Sequence, residues 1–105
     1  NVSYARKEGK EYEYYDGVML DLSGGGARLH VNKKLRHGEV IIFCVPLSEE
    51  IITVKAQVIR VESKSAQECI VGLCFIDIER AHREKIIKHV FNIMREQMQR
   101  SSKGE

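Results

Sequence analysis

Residues 21–31 read DLSGGGARLHV, and this stretch decides how the chain around it folds. An acidic residue and a serine come first, three consecutive glycines follow, and an alternation of polar and apolar residues then resumes. Glycine clusters interrupt regular structure, whereas alternation is typical of a strand with one buried face. The stretch therefore predicts a strand that ends at Asp21, a glycine turn over residues 24–26, and a second strand over residues 27–31.

Strand patterns extend on both sides of this stretch. The other predicted strands are residues 2–6, 11–21, 39–45, 51–61 and 70–76. Within residues 51–61 the apolar positions change phase by one residue, which indicates a β-bulge near Val58 and Ile59. Residues 70–76 are apolar on both faces, so we expect this strand to be covered on both sides or nearly so.

The pattern changes at Asp77, a residue type that caps helix N-termini. Apolar residues then recur at helical spacing, at positions 86, 87, 90, 91, 94 and 98. Six strands and one amphipathic helix predict a mainly β fold, a small antiparallel β-barrel with the C-terminal helix packed against it. Met94 and Met98 extend past the predicted barrel, so the helix is also a candidate surface for an oligomer or a partner protein.

The composition bounds the possible functions. The 105 residues predict one domain over residues 1–100 and a frayed tail over residues 101–105. Since the first residue is Asn1, we expect a fragment that lacks an upstream linker or domain. A net charge of +2 is too small for general binding of a nucleic acid polymer. No long apolar run or secretory signal is visible, so we expect no membrane insertion and a cytoplasmic location.

No pattern indicates a metal or a catalytic centre. Cys44, Cys69 and Cys74 form no C-x-x-C pair, and we expect buried, reduced thiols. His82 and His89 are two helical turns apart, about 10 Å, too far for one metal ion to bridge. A catalytic serine would need a base beside it, and no histidine is near the DLSGGG stretch in sequence. We therefore expect no enzyme activity, no metal and no cofactor.

The polar residues of the DLSGGG stretch suit a ligand with adjacent N–H donors and a negative charge. The Asp21 carboxylate can accept two parallel hydrogen bonds, for example from the Watson–Crick edge of guanine. Ser23 can donate to a phosphate or a base. The glycines can adopt positive φ and expose backbone N–H groups to an anion. The alternative is a tight turn in which Asp21 and Ser23 bond their own backbone.

Asp21, Ser23 and Gly26 with the following Ala-Arg-Leu resemble the D/N-x-S-x-x-G signature of the PilZ domain family. The later segments VIRV (58–61), VGLCF (71–75) and DIE (77–79) before an isoleucine-rich helix are also similar to that family. The resemblance implies a six-stranded PilZ-type barrel that binds cyclic di-GMP. The ligand-binding residues that it implies are Asp21, Ser23, Gly25, Gly26, Arg28, Arg60 and Gly72.

The chain departs from the family at a second motif, R-x-x-x-R, whose arginines contact phosphates and base faces. Before Asp21 the sequence offers only the degenerate Arg6-x-x-x-Lys10. Lysine lacks the planar fork and the flat face of a guanidinium, so Lys10 cannot fully replace an arginine. The resemblance implies either that the motif lies upstream of Asn1 or that the protein lacks it.

Two functions follow from the resemblance. The first is a cyclic di-GMP sensor domain that regulates motility or a related output, similar to the C-terminal domain of flagellar-brake proteins, with flagellar motor or other effector proteins as partners. The second is a PilZ-like protein-interaction domain that does not bind the nucleotide. An oligonucleotide-binding barrel would need a basic face with stacked aromatic residues, and the low net charge argues against it.

Overall fold

The computed structural model describes the backbone of residues 1–103 and the side chains of residues 1–99. Its elements are β1 (Val2–Glu8), β2 (Glu11–Leu22), β3 (Gly26–Val31), β4 (Val40–Pro46), β5 (Ile51–Ser63), β6 (Cys69–Ile76) and α1 (Arg80–Lys103). The strands close into an antiparallel barrel in the order β1-β2-β3-β6-β5-β4, with β4 pairing back onto β1. The predicted fold class, a six-stranded antiparallel barrel with one C-terminal helix, is confirmed.

Strand β5 shows how the alternating pattern produces the barrel wall. Its fully inward-facing side chains are Ile52, Val54, Ala56 and Val58. The pairing of β5 with β6 shifts by one residue between Val58 and Arg60. The β-bulge that was predicted near Val58 and Ile59 is thus confirmed. Beyond it, the set of residues that faces the interior is reversed.

The barrel encloses one apolar core built from five of the strands, and partly buried residues of β2 pack against it. The rings of Phe43 and Phe75 stack with their centroids 6.3 Å apart, and Tyr4 packs on Tyr15 at 5.7 Å. The Tyr4 hydroxyl is buried without a hydrogen-bond partner among the described residues. Burial raises the pKa of Tyr4 to about 12, because the charged phenolate is disfavoured away from water.

Two expectations about burial need correction. Along β6 buried residues alternate strictly with outward-facing residues. The outward-facing residues are half-buried, except Cys74, which is exposed. The prediction that β6 is covered on both faces is wrong here, because its outward face borders an open depression described below. Of the three cysteines expected to be buried, only Cys69 is, and Cys44 is half-buried.

The helix begins later than predicted. Asp77 has a φ of 50°, in the left-handed region that a non-glycine residue seldom adopts, and it lies three residues before Arg80, the first helical residue. The prediction that Asp77 caps the helix is therefore wrong. The first turn forms at Glu79 instead, whose carbonyl accepts a hydrogen bond from the Arg83 N–H at 3.0 Å.

Helix α1 contacts the barrel mainly through its N-terminal half. Ile86 is fully buried, and Val90 packs against the core. Lys85 pairs with Glu50 at 3.1 Å, at the turn between β4 and β5. No helix within the described residues combines the length and the apolar character needed to cross a membrane. The predicted frayed tail, residues 101–105, overlaps the helix end and extends into residues 104–105, outside the described residues, so it stays a prediction.

Candidate ligand-binding site

Two β-bulges determine the direction of the charged side chains at one end of the barrel. From Tyr15 to Met19 every second residue of β2 points inward, so an unbroken strand would also turn Asp21 inward. The pairing of β2 with β3 skips one residue between them, and Asp21 is exposed as a result. The bulge in β5 turns Arg60 outward in the same way. The bulge in β2 was missed, although the apolar run 18–20 breaks the alternation there.

The strand register places four of the predicted site residues in one row. Asp21 on β2 pairs with Arg28 on β3, Arg28 pairs with Gly72 on β6, and Gly72 pairs with Arg60 on β5. Because neighbouring strands lie about 4.8 Å apart, the two arginine backbones are separated by about 10 Å. The glycine between them leaves the floor of the row without a side chain. We call this set the cross-strand row.

The row carries more positive than negative charge. The Arg28 Nε lies 2.8 Å from a carboxylate oxygen of Asp21, and both side chains are more than half exposed. Arg60 has no ion-pair partner among the described residues. Two guanidinium groups beside one carboxylate favour an anionic ligand, and the carboxylate supplies an acceptor at one end.

Ser23 closes the turn that follows β2. Its backbone N–H donates to the Gly26 carbonyl at 2.9 Å. Its hydroxyl donates to the same carbonyl at 3.3 Å and accepts from the Gly25 N–H at 3.3 Å. The tight-turn alternative therefore describes Ser23 well. It does not describe Asp21, whose carboxylate pairs with Arg28 instead of its own backbone.

The three glycines of the turn differ in what an added side chain would meet. A Cβ on Gly26 would lie 2.0 Å from the backbone oxygen of Leu73, so the contact between β3 and β6 excludes any side chain there. A Cβ on Gly24 would meet Ile87 of α1 at 2.7 Å, whereas one on Gly25 would meet nothing within 4 Å. Positive φ occurs only at Gly9 and Gly38 among the glycines described. None of the three turn glycines therefore uses the positive φ that glycine permits.

An open depression of about 380 Å³ brings together all seven predicted site residues. Its lining consists of Asp21, Leu22, Ser23, Gly25, Gly26, Ala27, Arg28, Ile59, Arg60, Gly72, Leu73 and Cys74. Sequence reasoning missed the other five lining residues, among them the outward-facing Ile59 and Cys74. Both lie on strands that belong to the row, β5 and β6, and their outward direction follows from the register and the bulge, which sequence alone does not fix.

The degenerate arginine motif does not reach this depression. Arg6 pairs with Glu13 of β2, eight residues from Asp21, which corresponds to about 26 Å along the strand. Lys10 lies in the turn between β1 and β2, still farther away. By contrast, Val2 pairs with Gly17, about 13 Å from Asp21 by the same measure. The start of β1 is thus the part of that strand nearest the depression.

Arg6 has a structural partner instead. Its guanidinium donates two hydrogen bonds to the Glu39 carboxylate, at 2.7 and 3.1 Å, and both side chains are largely buried. The hydrogen bond to Glu39 raises the pKa of Arg6 further. Burial alone would raise the pKa of Glu39, but the Arg6 hydrogen bond and the Arg36 N–H outweigh it and lower that pKa. Arg6 therefore joins β1 to the segment before β4.

The side chains that commonly bind metals are dispersed in the part of the chain that the structure describes. No three His, Cys, Asp or Glu side chains there lie close enough to hold one ion. His89 Nδ1 lies 3.3 Å from the Ser48 hydroxyl, at the contact between α1 and the β4–β5 turn.

Comparison with known proteins gives one family and a consistent set of structures. The family model described as PilZ domain matches residues 2–92. No curated protein sequence matches the chain. Two similar solved structures are YcgR from Escherichia coli in complex with c-di-GMP and the PilZ domain of the same protein with c-di-GMP. Their TM-scores are 0.75 and 0.68, at 16% and 15% identity over 99% and 97% of this chain. The chain spans 46% of the first structure and 88% of the second.

Proposed function

The chain belongs to the PilZ domain family, and from that premise we propose that it is a receptor domain for cyclic di-GMP. The two similar structures, YcgR and its PilZ domain, both contain c-di-GMP, which supports the same ligand here. We assign the domain a regulatory role without a catalytic step. Ligand binding would be its entire chemistry.

The cross-strand row is the observation that carries this proposal. A cyclic dinucleotide has two phosphates and two guanines, so it needs cationic partners and an acceptor for the guanine N–H groups. Arg28 and Arg60 supply the cations, and Asp21 supplies the acceptor at one end of the row. Gly72 allows a base or sugar to lie flat between the arginines. The Ser23 hydroxyl and the Gly25 backbone border the same depression.

We propose that full affinity also requires an R-x-x-x-R segment upstream of Asn1. Arg6, the one arginine of the degenerate motif, is paired with Glu39, so within the described residues no R-x-x-x-R motif adds to Arg28 and Arg60 beside the depression. A segment that precedes Asn1 would join the barrel at the start of β1, which is the part of that strand nearest to Asp21. Each charged hydrogen bond contributes about 1.5–3 kcal/mol, so two missing arginines would weaken binding roughly a hundredfold or more.

We further propose a cytoplasmic domain whose ligand controls motility or a related output through flagellar motor or other effector proteins. A ligand that contacts both the upstream segment and the depression would order that segment. The ordered segment would then reposition a neighbouring domain or partner protein relative to the barrel. The competing function is a PilZ domain that acts through protein contacts and does not bind the nucleotide. Binding measurements separate the two.

Calorimetric titration with cyclic di-GMP provides the first test. The chain is compared with a version that includes the residues preceding Asn1 in its coding sequence. We expect weak binding by the chain and at least hundredfold tighter binding by the longer version. Arg60→Ala should weaken binding by about 10- to 100-fold, as expected for a lost charged hydrogen bond. Arg36→Ala removes an exposed arginine outside the depression and should leave binding unchanged. No binding by either version would favour the competing function.

Cys74 offers a second, local readout. It is exposed and lines the depression, while Cys69 is buried and burial raises the pKa of the half-buried Cys44 thiol. Iodoacetamide should therefore modify Cys74 first, because the thiolate is the reactive form. Bound cyclic di-GMP should slow this modification, and GMP at the same concentration should not. Equal rates with and without saturating ligand would place the ligand elsewhere.

A further inference from the structure

Helix α1 carries a line of large apolar side chains that the barrel leaves about half exposed or more. Ile87, Phe91, Met94 and Met98 are 47%, 62%, 56% and 70% exposed. Their spacings of four, three and four residues place them on one narrow face of the helix. This line, which we call the apolar stripe, is about 16 Å long at the rise of an α-helix. It is distinct from the depression at the cross-strand row.

The stripe is separate from the face that packs on the barrel. Ile86 is fully buried and Val90 is partly buried against the core. At 100° per residue, Ile86 points about a quarter turn away from the stripe. A shallow groove of about 220 Å³, lined by residues of β2 and by Val90, Ile93 and Met94, lies between the helix and β2. The stripe is thus a second apolar face of an otherwise anchored helix.

The charge of the helix sets it apart from the rest of the chain. Residues 80–103 contain seven Lys and Arg and two Glu, a net charge of +5, whereas the whole chain carries +2. The remainder of the protein is therefore net −3. Lys88 and Arg95 have no ion-pair partner among the described residues. Both project about a quarter turn from the stripe, on the side away from the barrel.

A second copy of the chain fits this surface poorly. In an antiparallel pair of stripes related by a two-fold axis, Lys88 and Arg95 of one copy would lie beside the same residues of the other. A large side chain exposes roughly 200 Å² when free, so the stripe offers roughly 450 Å². Each partner in a stable interface buries about 800 Å². The charges and the area both favour a different occupant.

We propose that helix α1 docks on the surface of an anionic lipid bilayer. Amphipathic helices that lie in the bilayer interface have an apolar face flanked by Lys and Arg and are too polar to span. The 24 residues of α1 have these properties. A fluid bilayer accepts a straight, convex stripe without a complementary groove. Phe91 and the two methionines would enter the headgroup boundary, while Lys88 and Arg95 would contact lipid phosphates.

Vesicle flotation tests the contribution of the stripe. The protein is mixed with vesicles of pure phosphatidylcholine or of phosphatidylcholine with 30% phosphatidylglycerol. We expect binding to the anionic vesicles only. The double variant Phe91→Ser/Met94→Ser should lower the partition coefficient at least about tenfold, because two buried apolar contacts are lost. The matched control Tyr14→Ser/Val40→Ser changes two apolar residues of the barrel with exposures of 66% and 45%, and it should bind as the unmodified chain does.

A second pair of variants tests the contribution of charge. Each cation near an anionic surface changes the partition coefficient about fivefold, so Lys88→Gln/Arg95→Gln should lower it about 25-fold. Lys7→Gln/Lys10→Gln alters two exposed lysines of the β1–β2 hairpin and should have no such effect. Absence of binding to anionic vesicles would overturn the proposal. So would a concentration-dependent dimer, seen by sedimentation, that the Phe91→Ser/Met94→Ser variant abolishes. Neither result depends on whether cyclic di-GMP binds.

Discussion

Replacement of Gly26 by alanine should destabilise the barrel severely, and the cause lies in the protein itself. The new Cβ would be 2.0 Å from the Leu73 carbonyl oxygen, about 1 Å inside the closest distance that such atoms tolerate. Strands β3 and β6 would have to separate beside the Gly26–Cys74 pair. Overpacking costs about 1–3 kcal/mol, and two weakened ladder hydrogen bonds add about 1 kcal/mol each. We expect a loss of about 3 kcal/mol or more.

Gly25→Ala is the matched control, one residue away in the same turn. Its Cβ would meet nothing within 4 Å, and the residue does not have positive φ, so stability should change by less than about 1 kcal/mol. Gly25 also lines the depression, so the same methyl group should weaken cyclic di-GMP binding if the ligand approaches this backbone.

Urea unfolding gives the unfolding free energies of both variants, and thermal unfolding gives their Tm values; circular dichroism follows both. For a domain of this size a loss of 1 kcal/mol lowers Tm by about 4–8 °C, so Gly26→Ala should melt at least about 12 °C below the unmodified chain. Equal unfolding free energies for Gly26→Ala and Gly25→Ala would refute the assignment of Gly26 to the contact between β3 and β6. The requirement for glycine at position 26 would then have to come from close approach of the ligand.

Two further predictions concern ionisation and buried polarity. Because the pKa of Glu39 is lowered in the folded state, the stability that this carboxylate contributes should be lost as the pH falls below about 4.5. In Glu39→Gln the unfolding free energy, measured with urea at a series of pH values, should depend less on pH in that range. The pKa of Tyr4 is raised to about 12, so the free energy of unfolding should fall by roughly 2 kcal/mol between about pH 10 and 12. Tyr4→Phe should abolish that fall and leave the stability at pH 7 unchanged or higher. A steeper alkaline loss in the phenylalanine variant would contradict the assignment.

The fold was predictable because its signals are periodic. The alternation in β5 and the phase change after Val58 are both visible in sequence, since a period of two and its interruption need no tertiary information. The helix was also visible from its spacing. Its start was not, because Asp77 is a good N-cap by residue type, whereas its left-handed backbone is a consequence of the path between β6 and α1.

The candidate site was predictable in membership but not in arrangement. The motif identified Asp21, Ser23 and Gly26, yet nothing in the sequence shows that Arg28, Gly72 and Arg60 share one register row. Register depends on which strands become neighbours, and the order β3-β6-β5 is set by barrel closure. For the same reason the sequence could not show that Arg6 lies at the far end of β2 and pairs with Glu39.

The two bulges explain how a barrel of this size acquires a polar site without a polar interior. An unbroken β2 or β5 would direct Asp21 or Arg60 into the apolar core, where an unpaired charge costs several kcal/mol. One extra residue in each strand reverses that direction and places both side chains on the outer surface. There Asp21 is paired only with Arg28, and an exposed ion pair contributes about 0–1 kcal/mol. A ligand can exchange that pair for its own contacts at little cost, so the row is both assembled in the absence of ligand and available to it.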